Sequence, residues 1–158
     1  GRRRRPSRAR HRADGRVAAQ PRRERAMAEC RKFRAGETYD GKQGFSYRPG
    51  VSAESAGATG ICMHLLEVPP GGRAKAHMHD SHETAIYVLE GAGMVMHWGD
   101  RLEHVMEAAP GDIIYIPAGV PHLPINRGPG PARAVVARTD PNEQESVRLL
   151  PELDALVP

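Results

Sequence analysis

The sequence predicts an all-β protein, a single antiparallel barrel or sandwich, on three observations. Apolar runs of strand length alternate with Gly, Pro and Asp breakers roughly every 8 to 15 residues from Ile61 to Thr139. No stretch of similar length carries a helical period. The 158 residues, with 17 Gly and 14 Pro, suit one domain of many short elements around one core.

Taken in order, residues 27–60 are glycine-rich and poorly periodic, and are expected to wrap the sheet or add an edge strand. "ICMHLLEV" (61–68) is strand-like and closes at "PPGG". "TAIYVLE" (84–90) ends at "GAG", and "MVMHW" (94–98) ends at "GD". "LEHVMEA" (102–108) is a more polar segment that stops at "PGD". "IIYI" (113–116) is short, fully apolar and cut off by Pro117. "HLPIN" (122–126) runs into "RGPGP", and "RAVVART" (133–139) is the last clear strand. The tail "NEQESVRLLPELDALV" suits a short helix interrupted by Pro151.

The net charge of +4 averages two unlike regions. Residues 1–26 hold 11 Arg against Asp14 and Glu24, a net of +9, and residues 27–158 hold 12 basic against 17 acidic residues, a net of −5. The arm contains no Leu, Ile, Phe, Trp or Tyr, so it has nothing to bury and is expected to be disordered. It lacks the apolar stretch of a secretory signal, and no aromatic residue interleaves with its arginines, which argues against nucleic acid as a partner. Met27 is expected to be the start of the working protein. The domain is then residues 27–158, with its motif-bearing core at 60–139. Two cysteines, Cys30 and Cys62, make no disulfide framework, so a reducing compartment, the cytoplasm, is expected. No apolar run reaches the ~20 residues that span a bilayer.

The chemistry concentrates in "HMHDSHE" (77–83) and "GDIIYIPAGVPHLPIN" (111–126). In a strand, residues two apart share a face, so His77 and His79 can aim at one point. Two tight turns flank the apolar strand 113–116, and such a hairpin can turn His122 back into a barrel. Nitrogen donors with one carboxylate suit Fe, Mn, Ni, Co or Zn rather than Ca or Mg. His64, His97 and His104 lack such a frame and read as packing or surface residues. Asn126 and the motif glycines and prolines read as architectural. Ile86, Val88, Met94, Met96, Ile114 and Ile116 read as apolar pocket walls, with Tyr87 and Tyr115 beside them. No Arg or Lys cluster is expected to point inward, which disfavours a sugar phosphate.

These two segments resemble the motifs of the cupin superfamily, G-x5-H-x-H-x3,4-E-x6-G and G-x5-P-x-G-x2-H-x3-N. Gly111, Pro117, Gly119, His122 and Asn126 match the second motif in full. Gly71, His77, His79 and Glu83 match the first, which closes near Gly91. The resemblance spans about residues 60 to 139 and implies a jelly-roll β-barrel holding one divalent transition metal, with His77, His79, Glu83 and His122 as ligands. It also implies a homodimer, formed by pairing edge strands. Seven residues, not six, separate Glu83 from Gly91, so a count back from Gly91 puts the ligand at Thr84. Strand parity groups Thr84 and His82 with Ile86 and Val88, leaving Glu83 on the other face. Either a bulge turns Glu83 inward or His82 replaces it; the forward count from His79 favours Glu83.

A metal with open positions permits carbonyl polarisation, as in isomerases and decarboxylases, or O2 activation if it is iron. The mixed His/carboxylate set favours a dioxygenase-like enzyme acting on a small apolar or aromatic molecule. The alternative is a non-catalytic small-molecule binding or sensing barrel.

Overall fold

In a computed structural model, the described residues are 29–144 and 146–158. The arginine-rich arm and Met27 lie outside them. Residues 32–158 form one unit.

Among the described residues, eleven short strands build two antiparallel sheets. In chain order they are β1 (Tyr39–Asp40), β2 (Ser46–Val51), β3 (Cys62–Val68), β4 (His77–His79), β5 (Thr84–Glu90), β6 (Met94–Trp98), β7 (His104–Ala108), β8 (Ile113–Ile116), β9 (His122–Asn126), β10 (Ala132–Arg138) and β11 (Val147–Leu149). A helical turn, α1 (Ala53–Ala56), follows β2, and α2 (Pro151–Asp154) begins at the proline expected to interrupt the tail. One sheet runs β1-β2-β3-β10-β5-β8 and the other β11-β4-β9-β6-β7. The glycine-rich stretch thus supplies two strands at one side of the larger sheet.

The alternation that sequence reading uses to find strands also sorts their faces. In β3, Cys62, His64, Leu66 and Val68 are buried while Met63, Leu65 and Glu67 face out. In β10, Ala132, Ala134, Val136 and Arg138 are buried. The inner faces enclose Phe45, Tyr47, Leu66, Val68, Ala74 and Val136, with Ile86 and Met94 packed against them. A second apolar cluster lies on the outer side of the smaller sheet. There Leu123 and Ile125 of β9 are covered by Leu102, Leu150, Leu153 and Val157. Arg73 holds this cover down, donating to the Asp154 and Val157 carbonyls at 2.7 and 2.8 Å and pairing with the Asp154 carboxylate at 3.2 Å.

Asn126, the last motif residue, is fully buried and works as a clamp. Its amide donates to the carbonyls of Val68, Pro69 and Gly130 at 3.0, 3.2 and 2.8 Å, and its Oδ1 accepts from the Gly128 amide at 2.9 Å. Gly91, which closes the first motif, has φ +108°, and a Cβ there would sit 2.6 Å from Ala132. Replacing Asn126 by Ala removes the donor to the Val68, Pro69 and Gly130 carbonyls at once and should destabilise the fold by about 2–4 kcal/mol, read as a lower urea midpoint with an unchanged slope.

Candidate metal centre

Three histidines converge between the sheets. His77 and His122 stand directly opposite each other across the β4–β9 pair, and His79 lies two positions along β4 on the same face. All three are 2–3% exposed, and one ligand nitrogen from each lies within 4.8 Å of the others. Ring centroids are 4.2 Å apart for His77 and His122 and 4.9 Å for His79 and His122.

Their hydrogen bonds decide which nitrogen carries the lone pair. His77 Nδ1 lies 2.7 Å from the Lys75 carbonyl and His122 Nδ1 lies 2.9 Å from the Val120 carbonyl. A carbonyl only accepts, so both Nδ1 atoms carry hydrogen and both Nε2 atoms carry the lone pair. His79 Nδ1 is engaged at 3.2 Å by the Thr84 hydroxyl, which gives it the same polarity when Thr84 accepts. A backbone carbonyl on the far nitrogen is the arrangement that orients metal-binding imidazoles. Three buried nitrogen donors so arranged fit a borderline transition metal.

The structure does not bring Glu83 to this cluster. The one irregularity of β5 lies at its far end, where Leu89 is skipped in the pairing with β10, and it does not turn Glu83 inward: β5 begins at Thr84, which faces inward, and Glu83 lies exposed on the other side, where its carboxylate accepts from the Tyr115 hydroxyl at 2.7 Å. The backward count and the strand parity therefore place the residues as the structure does, and the forward count does not. His82 is buried, its ring stacked on His79 with centroids 4.4 Å apart. It does not join the three converging nitrogens. Its Nδ1 instead faces Ser146 Oγ at 3.3 Å and the Asp140 carboxylate at 3.8 Å. Burial works to raise the Asp140 pKa, but hydrogen bonds from the backbone of Asn142 and Ser146 and from the Asn142 side chain outweigh it and hold the carboxyl below its ordinary value.

All six expected wall residues line the interior. Ile86, Met96 and Ile116 stand around the histidines with Gln43, Phe45 and Tyr47, in a cavity of about 40 Å³. Val88, Met94 and Ile114 line an adjoining apolar cavity of the same size. Tyr87 and Tyr115 face solvent, at the odd positions of strands whose even positions point inward. One arginine, not a cluster, lies on an inner face. Arg138 is 3% exposed on the inner face of β10, and its guanidinium donates to the carbonyls of Asn142 and Glu143. These contacts tie it to the 140–146 loop, so the objection to a sugar phosphate is not removed. Nothing in "VVART" distinguishes such a buried arginine from a solvated strand end.

His64 is buried against Tyr39, Tyr47 and Cys62. Burial pushes the Cys62 thiol up to about 11. His97 lies 3.4 Å from Arg127, and His104 is exposed against Trp98, as expected for packing and surface roles.

This is a β-barrel with a buried cluster of three imidazoles that could hold a metal ion. The chain belongs to the cupin family: the cupin-domain family profile matches residues 64–138. An uncharacterized protein of Methanocaldococcus jannaschii, MJ1618, is 31% identical over 93 residues, 58% of this chain and 71% of the relative. The tetracenomycin polyketide synthase protein TcmJ of Streptomyces glaucescens is 30% identical over 94 residues, and the chain spans 60% of its length. The structure of the polyketide cyclase RemF from Streptomyces resistomycificus superposes with a TM-score of 0.59 at 28% identity, covering 79% of this chain and 86% of that one. No described helix is long and apolar enough to cross a membrane.

The hydrogen bond from Tyr115 to Glu83 holds the phenol pKa above its ordinary value, because ionisation would set a phenolate against the carboxylate. Glu83→Gln should lower the Tyr115 pKa, read by NMR titration of the ring resonances. An unchanged value would mean that the pair does not form in solution.

Proposed function

We propose that the protein is a metal-dependent enzyme of the cupin family, acting on a small organic molecule through a divalent transition metal held by His77, His79 and His122. The observation that carries this reading is the pair of Nδ1-to-carbonyl hydrogen bonds, which fix the tautomers of His77 and His122 before any ligand arrives. The domain responsible is residues 27–158.

Once bound, the metal would polarise a carbonyl or enediol oxygen of the substrate. The chain itself does the rest. Ile86, Met96 and Ile116 exclude water, which strengthens every electrostatic contact inside. The Thr84 hydroxyl stands at the usual carboxylate position and steadies His79. Gln43, whose amide donates to the Tyr47 hydroxyl at 2.5 Å, is a polar group of the otherwise apolar wall that could orient a substrate oxygen. A cavity of about 40 Å³ admits the reacting end of a substrate rather than a whole ring system. The likeness to a polyketide cyclase and to a polyketide synthase protein supports a substrate bearing ketones.

Carbonyl chemistry takes precedence over dioxygenase-like chemistry because the preference for oxygen rested on a mixed histidine–carboxylate set, and Glu83 lies outside the cluster. Dioxygenase-like chemistry keeps one supporting fact, that imidazole also suits iron.

Plasma mass spectrometry on the untagged protein should find close to one transition metal per chain. His122→Ala should abolish tight binding while circular dichroism stays unchanged, and Glu83→Ala should leave the content as it is. His82→Ala should weaken metal affinity by about 10–100-fold, the usual effect of losing a partner that orients a ligand. Metal-loaded protein should speed deuterium exchange into a simple 1,3-diketone, an effect that His122→Ala removes. Oxygen uptake by the iron form without such exchange would favour a dioxygenase. A folded protein that takes up no metal when supplied would leave the non-catalytic binding barrel.

A further inference from the structure

Among the described residues, the side chains that line the cavity at the three histidines are mostly apolar. Apart from the histidines themselves, the polar ones are Gln43, Tyr47 and Thr84. The Thr84 hydroxyl is engaged with His79. Gln43 and Tyr47 are 2% and 6% exposed, and the Gln43 amide donates to the phenol oxygen at 2.5 Å. A phenol that accepts such a bond keeps its own hydrogen to donate.

Several contacts fix where that phenol stands. The Tyr47 ring stacks on Tyr39 with centroids 5.7 Å apart and meets the His64 ring edge-on at 5.9 Å. The turn that carries Gln43 wraps it so closely that a Cβ on Gly41 would sit 2.6 Å from the ring. The Lys75 amide donates to the Gln43 carbonyl at 2.8 Å, and the Lys75 carbonyl lies 2.7 Å from His77 Nδ1. The backbone of one residue thus ties the turn bearing Gln43 to a ring of the imidazole cluster.

We propose that the Tyr47 hydroxyl donates a hydrogen bond to the substrate oxygen that the metal polarises, and that Gln43 is the positioning residue that aims it. The assignment rests on the metal-dependent reading above. Polarising a ketone, or forming its enolate, puts negative charge on oxygen, and a preorganised donor in a cavity that excludes water stabilises that charge. The adjoining cavity shares Leu66, Ile86, Met96 and Pro124 with the first, and Val88 and Ile114 extend its apolar wall. The substrate class that fits is a ketone whose oxygen end meets Tyr47 and the histidines while its hydrocarbon end enters the apolar cavity.

Titration with acetylacetone, labelled with carbon-13 at its carbonyls, tests this on zinc-loaded and metal-free protein. Tyr47→Phe keeps the ring and removes the donor. It should weaken binding about 10–100-fold, as for a hydrogen bond to a charged oxygen, and move the bound carbonyl resonance upfield. Gln43→Met should cost less, and the double variant should bind no worse than Tyr47→Phe alone, because Gln43 acts through the phenol. Every variant should take up as much zinc as wild type, since no ligand nitrogen is touched. If Tyr47→Phe unfolds, Gln43→Met must still weaken binding and shift the carbonyl, or the assignment fails. Unchanged affinity in Tyr47→Phe, losses that multiply in the double variant, or a wild type that binds no diketone would each overturn it. A protein that takes up no zinc yet binds the diketone in a Tyr47-dependent way would instead sink the metal centre and leave the phenol as the oxygen-binding group.

Discussion

A β-strand can offer a side chain to a barrel interior only at every second position, and the site depends on that constraint. It brings His77 and His79 to one point and sets His122 opposite them. It also sends Thr84, Ile86 and Val88 inward while Tyr87 and Glu83 go outward. The chemistry open to the cavity follows. Its polar groups include three imidazoles and the Thr84 hydroxyl, and the carboxylate next to that hydroxyl in the chain takes part in a surface hydrogen bond instead.

The same constraint explains what was legible in the sequence. Strand positions were readable because breakers bracket them: β5, β6, β8 and β9 fall where "TAIYVLE", "MVMHW", "IIYI" and "HLPIN" lie. The three converging histidines and all six apolar wall residues were readable from parity and spacing. Glu83 misled because a motif count measures distance along the chain and ignores which way a residue faces. One extra residue before Gly91 reverses the face. Tyr87 and Tyr115 misled for a related reason, since aromatic residues are at home on either side of a sheet.

Other features needed coordinates because they depend on the path of irregular backbone or on a partner distant in the chain. The tautomers of His77 and His122 depend on carbonyls two residues upstream in irregular backbone. The inward turn of Arg138 is sustained by carbonyls of the 140–146 loop. The cover on the smaller sheet depends on Arg73 meeting Asp154 across 81 positions. Irregular backbone leaves no sequence signature for the first two, and the third is satisfied by a partner that only the folded chain supplies.

The loop 140–146 gathers these long-range ties at the histidine end of the barrel. Tyr39 donates to the Glu143 carbonyl across 104 positions and Ser52 to its carboxylate across 91, while Asp140 faces His82. Loop-closure entropy makes such contacts late and slow to form. The order of assembly follows from this. The strands that carry the three histidines can pair before the loop arrives, leaving the imidazoles open to solvent at the end it will later close.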